Sequence, residues 1–152
     1  MTMAGNDAGL TGLWFEQPGQ STGLSQFPPT AAVFDETRCW LDLYFSGRDP
    51  GFTPPLAPFG TAFQLAVWNR LLRIPFGKTR TYGQIAADLA CDLARPHMSA
   101  QAVGGAVSRN PIILIIPCHR VIAAGGRLGG YAFGPTRKQW LLNHETSWQK
   151  PY

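Results

Sequence analysis

The stretch Ile112-Ile-Leu-Ile-Ile-Pro-Cys-His-Arg-Val121 decides how the rest of the chain reads. Its five leading residues are apolar without a break. A run that short fits a fully buried strand better than a helix. It delivers the chain directly to Pro117-Cys118-His119-Arg120, a thiol beside an imidazole and a guanidinium. A free thiol has a pKa of ~8.5 and is only a few per cent thiolate at neutral pH. His119 is adjacent and can act on it directly or through a water. A catalytic imidazole needs an acceptor on its other nitrogen. After Asp92 the only acid is Glu145, on a helix that can pack against this segment. The residues alone leave a second reading open, a buried structural cysteine with a histidine that satisfies backbone.

Outward from this centre, Val121-Ile122 is followed by a turn at Gly125-Gly126 and a glycine-rich loop from Gly129-Gly130-Tyr131 to Gly134. Pro135 suits the first position of a last helix, with Trp140, Leu141 and Leu142 as its apolar face. On the other side, Ser99 caps a helix that Asn110-Pro111 ends. That helix reads Ala100-Gln-Ala-Val-Gly-Gly-Ala-Val107. Two mid-helix glycines cost about 1 kcal/mol each relative to Ala. They mark either close approach of a partner to the backbone or close helix–helix packing. A helix this thin suits a minor groove ~6 Å wide, read with little sequence preference.

Two capping boxes lie further upstream, Thr61-Ala-Phe-Gln64 and Thr81-Tyr-Gly-Gln84. The first opens a helix with Phe63, Val67, Leu71 and Ile74 at helical spacing, stopped by Pro75. Phe76-Gly77-Lys78 is a turn. The second opens a short helix with Ile85 and Leu89 inward. Short helices joined by a turn on a basic segment predict a helix-turn-helix. Before Gly60 the pattern is sparser. Leu13-Trp14-Phe15 reads as one strand, Gln17 to Pro29 as a polar loop, and Ala31–Phe45 as a helix carrying Val33, Phe34, Trp40, Leu41 and Phe45. Gly51 to Gly60, with Pro54, Pro55 and Pro58, reads as a linker and places the domain boundary.

The chain has 152 residues, 45% hydrophobic and 14% charged, which is globular composition. No apolar run approaches the ~20 residues of a membrane span. Met1 to Gly12 has no basic n-region or apolar h-region. Cys39, Cys91 and Cys118 are odd in number, without CxxC or zinc-finger spacing, so a reducing, cytoplasmic setting without disulfides or metal is expected. Net charge is +4 but uneven. Residues 1–59 carry two basic against six acidic side chains, and residues 60–152 carry eleven against three. The second part therefore calls for a polyanionic partner.

Pro117-Cys-His-Arg-Val121 preceded by Asn110-Pro111 resembles the signature of the O6-alkylguanine-DNA alkyltransferases. The similarity extends through Phe76-Gly-Lys-Thr-Arg-Thr-Tyr-Gly83, Ala102-Val-Gly-Gly-Ala106 and Arg137-Lys-Gln-Trp-Leu-Leu-Asn-His-Glu145. It implies an α/β (α+β) protein. Residues 1–59 would form a shortened ribonuclease-H-like lobe, and residues 60–152 a mainly helical DNA-binding alkyltransferase domain. It also implies direct reversal of damage. A lesion base is flipped from double-stranded DNA, and the alkyl group of O6-alkylguanine, with O4-alkylthymine as a further candidate, moves irreversibly to the Cys118 thiolate. No cofactor is needed and each monomer reacts once.

The same resemblance makes His119 the base acting through a water, Glu145 its orienting group, Asn110 the brace of the site loop, and Tyr82 the residue that turns the target phosphate and protonates the leaving guanine. Tyr131, Val121, Ala132, Phe133 and Val107 would line the base pocket. Thr81, Gln101, Ala102, Gly104, Gly105, Arg109 and Arg120 would contact DNA. Gln101 stands where much of the family has Arg. The Ala90–Met98 connection is longer than usual, and Ala132 and Phe133 replace Ser and Gly. Non-enzymatic relatives carry Trp in place of the reactive cysteine. Two other classes compete with repair. One is a lesion-sensing DNA-binding module, supported by the missing Arg and the short first part. The other is a Cys-His hydrolase, which would need an oxyanion hole.

Overall fold

The computed structural model describes residues 1–16 and 31–147; the polar loop expected over 17–29 lies outside them. The chain divides into two compact units, Met1–Phe59 with Pro111–Ile115, and Gly60–Asn110 with Ile116–Tyr152.

In the first unit, strand β1 (Thr2–Asn6) pairs antiparallel with β2 (Gly9–Trp14). The single strand expected at Leu13–Phe15 is thus the end of a hairpin. The partner strand, Thr-Met-Ala-Gly-Asn, lacks the apolar alternation that marks a half-buried strand. The turn is set by Asn6, whose Oδ1 accepts from the N–H groups of Ala8 and Gly9 at 2.9 and 3.2 Å, a side-chain mimic of a backbone turn. Helix α1 (Ala31–Phe45) forms over the expected span. Its buried stripe is Val33, Thr37, Trp40 and Tyr44, while Phe45 faces solvent.

Two expectations fail here for the same reason. The Pro-rich stretch is not a free linker. Leu10 N donates to Pro55 O and Ala57 N to Leu10 O, both at 2.8 Å, so Leu56 bridges β2 as an extended edge. The run Ile112–Ile116 is buried throughout but is not a strand. Ile112 makes one bridge to Leu13. The chain then turns at Leu114, where φ is 70° and Ile115 N donates to Ile113 O at 2.9 Å, a γ-turn of the rare positive-φ kind. Apolar content reports burial. Extended pairing needs a partner edge, which the residues themselves do not name.

The second unit begins with helix α2 (Ala62–Leu71). Strand β3 (Arg80–Thr81) leads into helix α3 (Tyr82–Asp92), and helix α4 (Ala100–Ser108) follows. A 3-10 turn at Cys118–Arg120 runs into strand β4 (Val121–Ile122), and helix α5 (Pro135–Ser147) closes the described chain. Both capping boxes are present. Gln64 N donates to Thr61 Oγ1 at 3.2 Å and Gln84 N to Thr81 Oγ1 at 3.1 Å, each glutamine accepting in return from the cap N–H at 2.8 Å. Helix α2 stops at Leu71, but Ile74 remains buried. Trp68 Nε1 donates to Ala106 O at 2.9 Å, fastening α2 to α4. Val67, Leu71, Ile85, Leu89, Val103 and Val107 are buried in this unit.

The end of α3 carries a local cost. Arg95 N donates to Ala90 O at 2.8 Å and Ala94 N to Cys91 O at 3.1 Å, the two bonds of a Schellman cap. The position that wants glycine is Ala94, at φ 49°. An L-residue in the left-handed region costs roughly 1–2 kcal/mol. Ala94→Gly is therefore expected to stabilise the protein by about 0.5–1 kcal/mol, after the extra unfolded-state entropy of glycine is discounted. A higher urea midpoint at unchanged slope confirms it; a lower midpoint contradicts the cap.

Candidate active site

Every side chain assigned above to the chemistry belongs to the second unit. Cys118 owes its position to Pro117. With φ −82° and ψ 66°, Pro117 is the centre of an inverse γ-turn, closed by Cys118 N donating to Ile116 O at 2.8 Å. The same carbonyl accepts from Asn110 Nδ2 at 2.7 Å. Asn110 thus braces the segment before the thiol. Beyond the 3-10 turn, β4 pairs parallel with β3, Arg80 against Val121 and Thr81 against Ile122. Two residues of sheet therefore tie the cysteine turn to the start of α3, where Tyr82 stands.

Cys118 is 6% exposed. Burial pushes its thiol pKa up. The Asn110 side chain, the Lys138 charge and the N–H groups of Cys118 and His119 act the other way but offset burial only in part, so the thiol stays above its ordinary value. His119 is fully buried, and its Nε2 lies 2.6 Å from Glu145 Oε1. Burial lowers its pKa, the Glu145 bond raises it, and the Arg120 and Lys138 charges lower it further. The imidazole is neutral as a result. Burial also acts to raise Glu145, but its bonds to His119 and Arg120 win and hold it at about 2. An ionised Glu145 only accepts, so Nε2 carries the proton and Nδ1 keeps the lone pair that a base needs.

Glu145 is satisfied from three directions. Besides His119, it accepts from Gly77 N at 2.9 Å and from Arg120 Nε at 2.9 Å and Nη2 at 3.1 Å. Gly77 has φ 70°, which aims its N–H inward at little steric cost. Arg120 also donates through Nη1 to Ile74 O at 2.7 Å and lies over the Phe76 ring. Arg120 was expected at DNA. At 7% exposure its guanidinium is instead an internal partner of Glu145, because a buried carboxylate needs a matching cation.

Tyr82 and Tyr131 come to the thiol from opposite sides of the sequence. Burial and Cys118 raise both phenol pKa values. The Tyr131 hydroxyl is buried beside the Cys118 thiol, and Phe133 packs edge-on against its ring at 5.9 Å. The Tyr82 ring abuts Gly129, where a Cβ would sit 3.2 Å from it. Val121 and Val107 are buried, Ala132 is exposed, and the Thr81 hydroxyl caps α3. The residues expected at DNA on α4 form a separate group. Gln101 and Ala102 are exposed, Gly104 and Gly105 half-buried, and Arg109 folds back to donate to Gly105 O at 2.9 Å.

The expected apolar face of α5 holds at Leu141 but not at Trp140. Trp140 is 52% exposed and stacks on His144. The buried face is Lys138, Leu141 and Glu145. Lys138 is the residue that the sequence reading missed. Its signal was present, since positions 138, 141 and 145 share one helix face, and Glu145 was already placed inward.

These charges set an acid limit. Glu145 is held below its unfolded pKa of ~4.3, so its contribution is full above that value and is lost as pH falls through about 2. His119 is also lowered from ~6.5, so its contribution is present above 6.5 and declines below it. Below pH 7, urea stability should fall in two stages, from about 6.5 and again from about 4.3. His119→Gln should remove the first stage. Level stability between pH 7 and pH 5 would mean that His119 is not buried neutral.

The family model described as 6-O-methylguanine DNA methyltransferase, DNA binding domain, matches residues 62–147. Over 114 residues the chain is 49% identical to the methylated-DNA–protein-cysteine methyltransferase of Methanosarcina acetivorans, covering 75% of this chain and 70% of that one. It is 42% identical over 145 residues to the methyltransferase of the same name from Mycobacterium leprae, covering 95% and 85%. The crystal structure of Mycobacterium tuberculosis OGT in complex with DNA is similar with a TM-score of 0.80 and 40% identity, over 96% of this chain and 86% of that one. The thiol, imidazole and carboxylate lie inside the matched segment, and the identity continues beyond it across nearly the whole chain, which places this protein in the methylated-DNA–protein-cysteine methyltransferase family.

Proposed function

We propose that this protein reverses DNA alkylation by moving an alkyl group from O6-alkylguanine to Cys118, once per molecule. The observation that carries the reading is the buried thiol next in sequence to a neutral imidazole whose Nε2 is held by an ionised carboxylate. His119 takes the thiol proton through a water and leaves a thiolate. The sulfur attacks the alkyl carbon, an S–C bond forms and the C–O6 bond breaks. The electron pair of that bond stays on the guanine, which takes a proton from Tyr82. Donor and acceptor are the whole reaction, and nothing in it regenerates the thiol.

The partner is double-stranded DNA. The exposed Gln101 and Ala102 at the start of α4, with the small Gly104 and Gly105 after them, and the basic second part support docking in the minor groove. Flipping a base costs a few kcal/mol, and Gln101, exposed as the second residue of α4, fills the gap in this reading. Tyr131, Phe133 and Val121 serve the pocket. O4-alkylthymine is a further candidate substrate. The protein acts as a monomer in the cytoplasm, on nucleoid DNA.

Incubation with an O6-methylguanine duplex should add one methylene unit of mass, mapped to Cys118. Cys118→Ser should abolish that gain while DNA affinity stays within about twofold, because the thiol contacts no phosphate. Methyl transfer in the Ser variant would sink the reading.

A second expectation concerns Gln101, which lacks the charge and stacking plane of the Arg common in the family. Gln101→Ala should slow repair of duplex DNA several-fold and leave reaction with free O6-benzylguanine unchanged, and Gln101→Arg should speed duplex repair. If instead Arg95→Ala alone slows duplex repair, the residue in the gap is Arg95 of the α3–α4 connection.

A further inference from the structure

We propose that Lys138 is the buried counter-charge of the Cys118 thiolate and the tie that holds the Gly129–Tyr131 loop beside it. The proposal rests on Cys118 being the reacting thiol. Lys138 is 0% exposed, on the face of α5 that also buries Leu141 and Glu145. Its Nζ donates to Val121 O at 2.6 Å and to Gly130 O at 3.1 Å. Those two carbonyls belong to the segments that flank the thiol. Val121 directly follows the Cys118–Arg120 turn, and Gly130 directly precedes Tyr131.

Two carbonyls solvate an ammonium but do not neutralise it. A buried cation without an anion is costly. Among the described residues no carboxylate forms an ion pair with Lys138. Glu145 is two turns further along the same face, but His119, Arg120 and Gly77 occupy both of its oxygens. The group left to balance Lys138 is the thiol. Charge on either side favours charge on the other: Lys138 draws the Cys118 pKa down, and Cys118 holds the Lys138 pKa up against burial.

The other groups facing the thiol do not compete. Tyr82 comes from α3, Asn110 from the end of α4 and Tyr131 from the loop. All three are uncharged at neutral pH. His119 follows Cys118 in the turn, and Lys138 lowers its pKa as well. The lysine therefore separates two tasks. The imidazole stays neutral and ready to receive a proton, and the ammonium carries the charge that balances sulfur. Lys138 touches no reacting atom in this scheme, so it is a positioning residue that acts through Cys118 and the loop.

The test needs no DNA. In a Cys39→Ser, Cys91→Ser background, Cys118 is the single thiol, and its reaction with iodoacetamide is followed against pH by intact mass. Lys138→Met should move the midpoint up by about one unit, a roughly tenfold slower reaction at neutral pH. An unchanged midpoint in a folded variant overturns the proposal. A reciprocal measurement keeps lysine in place. The chain has three lysines, Lys78, Lys138 and Lys150, so side-chain carbon labelling resolves Lys138 by NMR. Its ammonium should titrate at lower pH in Cys118→Ser than in the parent, and identical titrations overturn the proposal. Failure of the parent to demethylate DNA would remove the functional reading while leaving both titrations interpretable.

Discussion

The carboxylate of Glu145 is the constraint on which the second unit depends. It is fully buried and ionised, so every lone pair it cannot place is expensive. From α5, which carries it, it gathers partners from two other stretches of chain: the Gly77 turn after α2 and the His119–Arg120 pair after the cysteine. Removing one partner from such a buried ion typically costs about 3–5 kcal/mol. The arrangement as a whole gains less than that, because desolvation offsets it. What it secures is geometry. One anion fixes the imidazole tautomer, the inward turn of Arg120 and the register between α5 and the cysteine turn.

Two buried ions of opposite sign then share one face of α5. Glu145 meets a cation, a ring N–H and a backbone N–H. Lys138 meets two backbone carbonyls and, across them, a thiol. The asymmetry gives the two ends of the site different tasks. The carboxylate end is closed and permanent, holding the base. The ammonium end faces the group that ionises. An apolar face on α5 would pack as well, but it would leave a buried sulfur with burial alone acting on it, and burial raises a thiol pKa.

Much of the second unit was legible because its signals are local. A Thr three residues before a Gln reports a helix start through bonds made within one turn, and both capping boxes formed as read. Ser99, Pro135 and the Phe76–Lys78 turn are equally local. The failures fell where the answer depends on a distant partner. Five apolar residues at 112–116 announced burial, but among the described residues they form one bridge, to Leu13, before the chain turns. Trp140 was read as core by its hydrophobicity, although the buried positions of that helix were claimed by the ions at 138 and 145.

The capped helix starts, the uneven charge, the thiol beside an imidazole and the acid reserved for it were all readable along the chain, because each is a matter of residue type and short spacing. Which way the ambivalent side chains turn depends on the folded chain. Arg120 could have faced a phosphate, and Lys138 could have faced solvent, with the same local sequence. Their direction is set by charges brought from far along the chain, since a buried anion captures the nearest cation and a buried ammonium settles where carbonyls and an ionisable sulfur converge. Long-range electrostatics inside a core depends on what folding places nearby, and no window of neighbouring residues contains that information.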